Sequence, residues 1–277
     1  WFSHRTVSSD GSRGPVLLWP DTFTNFLEPE IAIAAVRVLE SAGFRVRIPS
    51  RVLCCGRPLY DFGMLGLARR QLRQTMSALR PALESGMPVV GLEPSCIAVF
   101  RDELRNLFPD HPDARRLSMQ AVTIAELLDR TRDLSLPKRA GSALLHGHCH
   151  EKAVLDAAAE RRVLERVGLA VDVPDTGCCG MAGSFGFERG KEHVSVACAE
   201  RVLLPAVRAV GPDGLVVASG FSCRTQIAQT VGYRARHIAE VLGLKIEKED
   251  ITADPEGKGP AAELVRFHGQ LSASLPR

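Results

Sequence analysis

Short apolar runs alternate with longer amphipathic segments along the chain. The runs cover residues 16–19, 44–48 and 89–92 in the first half, and 143–145, 169–173 and 215–218 in the second. Between them, segments such as 30–40 and 151–166 carry apolar residues at helical spacing. Short apolar strands that alternate with helices predict an α/β fold, in which parallel strands are covered by helices on both faces.

The two halves of the chain resemble each other. Four groups of residues recur in the same order: Leu17-Leu18 and Leu144-Leu145, Cys54-Cys55-Gly56 and Cys178-Cys179-Gly180, Cys96 and Cys223, and Ile124-Ala125-Glu126 and Ile238-Ala239-Glu240. A colinear match of this kind indicates an internal duplication. We therefore predict two tandem pseudo-symmetric repeats, each with a small parallel sheet flanked by helices. The predicted boundaries are a linker at 1–13, a first repeat at 14–132, a second repeat at 133–244 and a C-terminal tail at 245–277, with a short helix near 261–271.

Composition narrows the class of protein. The chain has 277 residues, of which 45% are apolar and 24% charged, as in ordinary globular domains. A net charge of +3 without a basic run, together with 5% aromatic residues, argues against nucleic-acid binding. No apolar run is long enough for a transmembrane helix, and no signal peptide is evident, so we expect a cytoplasmic protein. Because the sequence begins at Trp1 without Met, we expect one domain of a longer polypeptide.

The cysteines are the main candidates for functional residues. The chain has eight: Cys54, Cys55, Cys96, Cys149, Cys178, Cys179, Cys198 and Cys223. Four of them form two adjacent pairs, and a disulfide between chain neighbours strains the peptide link. In a cytoplasmic protein such cysteines are typical of metal ligands or redox-active thiols.

In the second repeat, each predicted strand is followed by cysteine. Cys149 follows the first, Cys178 and Cys179 follow the second, and Cys223 follows the third. Ligands of open α/β sheets lie beyond the carboxyl ends of the strands, so these thiols should converge. Four thiolates from three loops can enclose an iron–sulfur cluster. Cys149 and Cys223 also lie where helices begin, a position that lowers the pKa of a thiol.

Glycine follows both cysteine pairs. At Gly56 and Gly180, a positive φ would permit a tight turn that directs both thiols to one site. The spacing of Gly180, Gly183 and Gly186 is also compatible with a loop that binds an anion through backbone N–H groups. The adjacent cysteines favour a loop around a metal cluster.

The three histidines, Cys198 and Glu93 have separate predictions. His146, His148 and His150 alternate at strand spacing and would face one side if the segment were extended. They are candidates for metal ligands, proton carriers, or hydrogen-bonding or capping residues near Cys149. Cys198 falls within a predicted helix at 192–204 without a partner, which predicts a buried, inert thiol. Glu93 is expected to be a turn or solvent-facing group.

Four segments carry a family resemblance: VLCCGRPLYDFG, GLEPSC, HGHCH and TGCCGMAGSFGFE. They resemble the cysteine-rich, or CCG, domain family of iron–sulfur oxidoreductases, which includes heterodisulfide reductase and the iron–sulfur subunits of glycerol-3-phosphate, glycolate and lactate dehydrogenases. The segment LLWPDTFTNFLEPE resembles the C-terminal part of fusion proteins similar to D-2-hydroxyglutarate or D-lactate dehydrogenases. The resemblance implies 4Fe–4S clusters, some of them non-cubane, with FAD-binding and ferredoxin-type domains upstream or on separate chains.

The resemblance also implies which residues hold metal. Carried over by motif, the ligands are Cys149, Cys178, Cys179 and Cys223 in the second repeat, and Cys54, Cys55 and Cys96 in the first. His148, His150, Asp21, Gly56 and Gly180 are implied as supporting groups. In the first repeat Thr22 replaces the first thiol, although Asp21 beside it offers oxygen ligands, and Glu93 and Gly220 replace one cysteine of a Cys-x-x-Cys pair. One cluster, in the second repeat, is the expectation.

By this resemblance, the chain is the electron-transfer domain of a flavin-dependent 2-hydroxyacid dehydrogenase and is not catalytically complete alone. Electrons would pass from flavin through ferredoxin-type clusters to this domain, and then to a quinone, a cytochrome or a disulfide. A partner would hold it at the periphery of the inner membrane. Two alternatives stay open. One is a zinc-bound or metal-free docking module, with zinc in place of the cluster. The other is a dithiol/disulfide reductase in which Cys54 and Cys55, or Cys178 and Cys179, are the exchanging thiols.

Overall fold

The structure is a computed structural model that describes residues 2–7, 9–131, 133–134, 136–210 and 214–243. The predicted C-terminal tail from residue 245, including the helix near 261–271, lies outside the described residues. Phe2–His4 forms a 3₁₀ turn, and Arg5 pairs with the buried Glu40 at 2.6 Å, so this part of the predicted linker packs on the first repeat. The boundaries of linker, repeats and tail stay predictions.

Two parallel sheets form the centre of the described chain. The first contains the strands β1 (Pro15–Trp19), β2 (Arg45–Arg47), β3 (Val89–Gly91) and β4 (Ala121–Thr123), in the order β2-β1-β3-β4. The second contains β5 (Ser142–Leu145), β6 (Ala170–Asp172) and β7 (Leu215–Val217), in the order β6-β5-β7. Every strand pair is parallel. The predicted fold class is thus confirmed.

The strand registers show the duplication directly. Leu17 of β1 pairs with Val89, and the matching Leu144 of β5 pairs with Val216. Sequence patterns miss β4, because its three residues directly join two helices without a turn. Its counterpart in the second repeat is reduced to one parallel bridge between Val217 and Arg236.

Helices connect the strands and cover both sheets. In the first repeat they are α1 (Thr22–Phe26), α2 (Pro29–Ser41), α3 (Arg57–Asp61), α4 (Leu65–Glu84), α5 (Pro94–Arg101), α6 (Glu103–Leu107), α7 (Pro112–Gln120) and α8 (Ile124–Arg130). In the second they are α9 (Cys149–Val154), α10 (Ala159–Arg166), α11 (Glu192–Glu200), α12 (Leu203–Ala209), α13 (Phe221–Val231) and α14 (Ile238–Gly243). The predicted helix at 151–166 is therefore two helices. It breaks at Leu155, whose backbone is extended, and Asp156 accepts a hydrogen bond from the Ala158 N–H just before α10.

Both repeats share one hydrophobic core. The largest buried cluster joins side chains of β1, α2 and α8 with side chains of β5, α10 and α14. Helix α14 packs on α2, and α10 packs on α8. Because burial of apolar surface is the main favourable term in folding, this shared core holds the repeats in one arrangement. Among the described residues, no helix is both long enough and apolar enough to cross a lipid bilayer.

Polar contacts join the carboxyl ends of the two sheets. The Glu93 carboxylate, just after β3, accepts a hydrogen bond of 2.8 Å from the Phe221 N–H at the start of α13. His237 Nε2 donates to the Leu92 carbonyl at 3.0 Å. The rings of Phe23 and Phe221 stack with centroids 4.1 Å apart. The prediction of Glu93 as a solvent-facing group is wrong, since its residue is only 4% exposed. It faces the other repeat, which a local sequence pattern does not reveal.

His237 makes the stability of this junction depend on pH. Burial and the charge of Arg224 lower its pKa to about 3, while an unfolded histidine has a pKa near 6.5. The unfolded chain therefore binds a proton that the folded chain excludes. This contribution to stability is complete above pH 6.5 and is lost as the pH falls toward 3, by up to about 1.4 kcal/mol per pH unit.

We predict that His237→Gln flattens the dependence of stability on pH between pH 6.5 and 4. Glutamine retains a donor for the Leu92 carbonyl but takes up no proton in this range. The free energy of unfolding of the metal-free chain, from urea denaturation at several pH values, measures the effect. His150, whose pKa is also lowered, titrates in both proteins and cancels in the comparison. Equal slopes in the two proteins would contradict the assignment.

Candidate metal centre

Four thiols of the second repeat meet at the carboxyl edge of its sheet. Cys149 is the first residue of α9, Cys178 and Cys179 lie in the loop after β6, and Cys223 lies in the first turn of α13. Hydrogen bonds link the thiols in a chain from Cys149 to Cys178, from Cys178 to Cys179, and from Cys179 to Cys223. The structure thus brings together the thiols that the sequence singles out in this repeat. Cys179 and Cys223 are buried, whereas Cys149 and Cys178 are partly exposed.

Glycine at two positions makes this convergence feasible. Gly180 has φ +89°, and a Cβ there would lie 1.9 Å from the Ser195 carbonyl oxygen, so no other residue fits. Its N–H donates to Cys178 Sγ at 3.3 Å. At Gly220, a Cβ would lie 2.3 Å from Cδ2 of His148. The close approach of the α13 and α9 starts therefore depends on Gly220.

The first repeat contains an incomplete copy of the same arrangement. Cys55 Sγ lies 3.1 Å from Cys96 Sγ, and Cys54 hydrogen-bonds with Cys55. Gly56, with φ +83°, donates to Cys54 Sγ at 3.4 Å, as Gly180 does to Cys178. The Thr22 hydroxyl contacts Cys54 where Cys149 contacts Cys178 in the second repeat. The first repeat therefore offers three thiols and a hydroxyl.

The two carboxylates beside these three thiols are already hydrogen-bonded. Asp21 Oδ1 accepts from the Phe23 and Thr24 N–H groups, and Oδ2 accepts from the Thr24 hydroxyl at 2.7 Å. Glu93 Oε1 accepts from Ser95, and Oε2 accepts from the Phe221 N–H. All four carboxylate oxygens are therefore engaged at the starts of helices. A ligand role for Asp21 would require the loss of these bonds, so we do not propose one.

Electrostatics divide the thiols of the second repeat into two pairs. Hydrogen bonds to neighbouring thiols, followed by burial, raise the pKa of Cys149 and of Cys179. Hydrogen bonds from the Cys149 and Cys179 thiols lower the pKa of Cys178 well below its usual range. The hydrogen bond with Cys179 outweighs burial at Cys223, and the imidazoles of His146 and His148 lower its pKa further. Metal ions bind the thiolate form of cysteine, so Cys178 and Cys223 are the two thiols of this site that are biased toward metal binding.

The first repeat favours neutral thiols instead. The hydrogen bond with Cys55 lowers the pKa of Cys96, but burial and the nearby Asp21 and Glu93 carboxylates outweigh it and raise that pKa. The hydrogen bond with Cys55, followed by burial, raises the pKa of Cys54. At Cys55, a hydrogen bond from Cys54 opposes the rise, but the contact with Cys96 and burial raise its pKa well above the usual value. A metal that binds here would have to displace protons from thiols whose pKa values are raised.

The histidines do not share one strand face, and His148 takes the capping role that is one of the predictions for these histidines. β5 ends at Leu145, His148 caps α9, and His150 lies within α9. His148 Nδ1 accepts from the His150 N–H at 3.1 Å, and the two rings stack 5.2 Å apart. His146 Nδ1 is hydrogen-bonded to the Thr176 hydroxyl at 2.6 Å. His148, Cys149 and His150 each offer a ligand atom within 4.8 Å of the others, a set that also suits zinc.

Cys198 lies apart from both groups of thiols. The prediction that it is buried is wrong, because its residue is exposed. On α11 the buried positions include Ser195 and Ala199, and the weak amphipathic pattern of this helix did not identify its inner face. Cys198 therefore belongs to neither group of thiols.

Comparison with known proteins identifies the family to which this chain belongs. Residues 22–101 and 144–228 each match the profile of the cysteine-rich domain called CCG. The chain belongs to the CCG cysteine-rich domain family. The two matches contain all seven cysteines of the two thiol groups. The resemblance inferred from the Cys-Cys-Gly segments is thus confirmed.

Several curated proteins are similar to most of this CCG chain. D-2-hydroxyglutarate dehydrogenase of Pseudomonas putida is 28% identical over 229 residues, which cover 82% of this chain and 22% of that protein. One subunit of the anaerobic glycerol-3-phosphate dehydrogenase of Escherichia coli is 26% identical, covering 87% and 62%. The glycolate oxidase iron-sulfur subunit of Escherichia coli is 30% identical, covering 80% and 56%. The chain thus spans about a fifth of the D-2-hydroxyglutarate dehydrogenases that it matches.

The donor set of the second repeat fits an iron–sulfur cluster. Such clusters are held by cysteine thiolates, and four thiols meet there with two of them biased toward the thiolate. The three thiols of the first repeat do not complete such a set. We therefore expect the two CCG repeats to differ in their capacity for metal.

Matched substitutions in the two repeats test whether they differ in their capacity for metal. Cys179 and Cys55 hold equivalent positions and are equally buried. After anaerobic reconstitution with iron and sulfide, we predict that Cys179→Ser loses most of the bound iron, because a hydroxyl is a poor ligand for iron. Cys55→Ser should leave the iron content nearly unchanged.

Cys198→Ser is the control and should bind as much iron as the unmodified chain. Iron and acid-labile sulfide per chain are the measured quantities, with circular dichroism to confirm the fold. If Cys55→Ser and Cys179→Ser lowered the iron content equally, the repeats would be equivalent sites and the assignment would be wrong.

Proposed function

We propose that this chain is an electron-transfer domain whose second repeat binds one 4Fe–4S cluster through Cys149, Cys178, Cys179 and Cys223. The observation that carries the proposal is the contact of these four thiols, contributed by three loops at one sheet edge. The similarity to a glycolate oxidase iron-sulfur subunit supports iron and sulfide as the occupants. When bound, such a cluster would supply one-electron transfer at this edge.

The residues of the chain would bind and tune the site. The thiolates hold the metal, and the imidazoles of His146 and His148 stabilise negative charge on Cys223. His148 also caps α9 together with Glu151, which fixes the orientation of Cys149. Because Cys149 and Cys178 are partly exposed while Cys179 and Cys223 are buried, one side of the site is open to an electron-transfer partner.

We propose that the electrons originate in a flavin on another domain or chain. The sequence contains no Gly-x-Gly-x-x-Gly after a strand, the pattern typical of a dinucleotide site. Removal of hydride from an alcohol carbon requires an organic acceptor such as FAD. D-2-hydroxyglutarate dehydrogenases extend well beyond the matched region, which leaves room for FAD-binding and ferredoxin-type domains.

The wider assignment follows from the same relatives. We propose a 2-hydroxyacid, such as D-2-hydroxyglutarate or D-lactate, as the electron source, and a quinone, a cytochrome or a disulfide as the acceptor. The domain would work in the cytoplasm, held at the inner membrane by a partner when the acceptor is a quinone. The relatives named for hydroxyacid and glycerol-3-phosphate oxidation support this class of donor.

A second candidate function rests on the first repeat. Cys55 and Cys96 have their sulfur atoms 3.1 Å apart, so a small movement would allow a disulfide between them. A dithiol/disulfide reductase would oxidise these thiols against a substrate disulfide. Incubation with an excess of a small disulfide, followed by mass spectrometry of the peptides, would show a Cys55–Cys96 crosslink if this function were correct.

We predict that the chain turns brown when it is reconstituted anaerobically with iron and sulfide. The product should contain close to one cluster per chain and give an electron paramagnetic resonance signal on reduction. Zinc reconstitution is the parallel control. A folded, colourless sample without labile sulfide that retained zinc would favour the zinc-bound docking module over the electron-transfer function.

We also predict that the reconstituted chain alone oxidises neither D-lactate nor D-2-hydroxyglutarate. It lacks a group that accepts hydride, whereas it should accept electrons once a flavin-bearing dehydrogenase part is added. Reduction of a dye acceptor, with and without that part, measures the difference. Turnover by the chain alone would overturn the assignment and make it an enzyme in its own right.

A further inference from the structure

A group of exposed apolar side chains flanks the first cysteine pair and the start of α4. We call Val52, Phe62, Met64, Leu65 and Leu67 the 52–67 patch. Val52 is 70% exposed and Phe62 is 60% exposed, and the other three are about half exposed. Elsewhere in the described chain, exposed large apolar residues are more widely spaced along the sequence. Clustered apolar exposure of this kind marks interaction sites on protein surfaces.

Two hydrogen bonds place the segment that contains Val52 beside α4. Arg51 Nη2 donates to the Gln74 carbonyl at 3.2 Å, and Gln71 Nε2 donates to the Cys54 carbonyl at 3.3 Å. The segment with Val52 therefore runs along the face of α4 that carries Leu67, Gln71 and Gln74 at helical spacing. Phe62 and Met64 lie in the turn that leads into α4. Leu65 lies two residues from Leu67 and so points to another side of α4. The 52–67 patch therefore surrounds the N-terminal half of α4.

This surface adjoins the open side of the proposed cluster site. α3 connects Gly56 to the patch, and its last residue, Asp61, reaches the second repeat. A Cβ on Gly183, in the loop that follows Cys179, would lie 3.9 Å from Asp61 Oδ2. The charges of Arg57 and Asp61 also act on His150, beside Cys149. A protein seated on the patch would therefore lie next to the partly exposed thiols.

The surroundings of the patch are strongly basic. Between residues 51 and 83 the sequence has six arginines, and Asp61 is its one acidic residue. Arg57 and Arg80 are engaged in ion pairs with Glu103 and Asp113. Arg69, Arg70 and Arg73 lie exposed on the first turns of α4, and within the described part of the chain no ion pair is formed by any of the three. Arg69 and Arg73 instead lie over the Phe108 ring.

We propose that the 52–67 patch, with the α4 arginines around it, docks an acidic electron-carrier protein domain that exchanges electrons with the second-repeat site. This inference rests on the proposed function. The apolar side chains supply the desolvated centre of the contact, and the arginines supply a polar rim complementary to aspartate and glutamate. Complementary charge mainly accelerates association and makes it sensitive to salt.

The test uses the reconstituted chain and a small acidic 4Fe–4S ferredoxin, reduced beforehand, as the probe. Stopped-flow absorbance gives the second-order rate of electron transfer into the chain. We expect Leu65→Gln/Leu67→Gln to lower this rate by about tenfold through loss of the apolar contact. Arg70→Glu/Arg73→Glu should lower it by a similar factor at low salt.

Salt separates the two contributions. Raising the ionic strength from about 0.05 M to about 0.5 M shortens the screening length, so it should slow the unmodified chain and the Leu65→Gln/Leu67→Gln variant but not Arg70→Glu/Arg73→Glu. Met119→Gln, at a site 72% exposed on α7, is the apolar control, and Arg37→Glu on α2 is the charge control. Both controls should transfer electrons at the unmodified rate.

Iron content and the visible spectrum are recorded before mixing, so failure of the proposed function is seen separately as absence of a cluster. With clusters present, unchanged rates in both patch variants would overturn the docking proposal and leave the electron-transfer function intact. Sedimentation analysis tests whether a second copy of this chain occupies the patch instead. Dimerisation of the unmodified chain that Leu65→Gln/Leu67→Gln abolishes would assign the patch to a second copy of this chain and would also overturn the proposal.

Discussion

The hydrogen bond from the Phe221 N–H to the Glu93 carboxylate joins the two halves of the molecule at the place where its chemistry lies. Glu93 follows a central strand of the first sheet, and Phe221 begins the helix that carries Cys223. A buried carboxylate without partners would be costly, so both of its oxygens accept hydrogen bonds and it holds this helix in place. The position of Cys223 in the second repeat therefore depends on a side chain from the first.

Duplication has produced two sites with the same backbone and different chemistry. In both, a glycine with positive φ follows the cysteine pair and donates its N–H to the first sulfur. The differences lie in the side chains around the thiols. Buried carboxylates beside Cys96 disfavour thiolates, whereas imidazoles beside Cys223 favour them. The replacement of a thiol by the hydroxyl of Thr22 acts in the same direction, so ligand number and electrostatics both favour the second repeat.

Burial changes in steps from the core to the surface along this edge of the molecule. Cys179 and Cys223 are enclosed, Cys149 and Cys178 are partly open, and the apolar side chains that begin with Phe62 face solvent. With a cluster bound, the enclosed thiols would shield it from water, and the open ones would allow a second protein to approach within the short range that electron transfer requires. Basic residues on α4 add a long-range attraction that would guide an acidic partner to this side.

The sequence by itself determined the α/β class, the duplication, six of the strands and the thiols that meet in each repeat. These features depend on local patterns: apolar runs, adjacent cysteines and the glycines that follow them. Tertiary structure alone decided the role of Glu93, the exposure of Cys198, the division of the predicted helix at 151–166 and the pairing of β4. Burial of a carboxylate, or exposure of a thiol on a weakly amphipathic helix, depends on which surface packs against it, and that surface comes from residues distant along the chain.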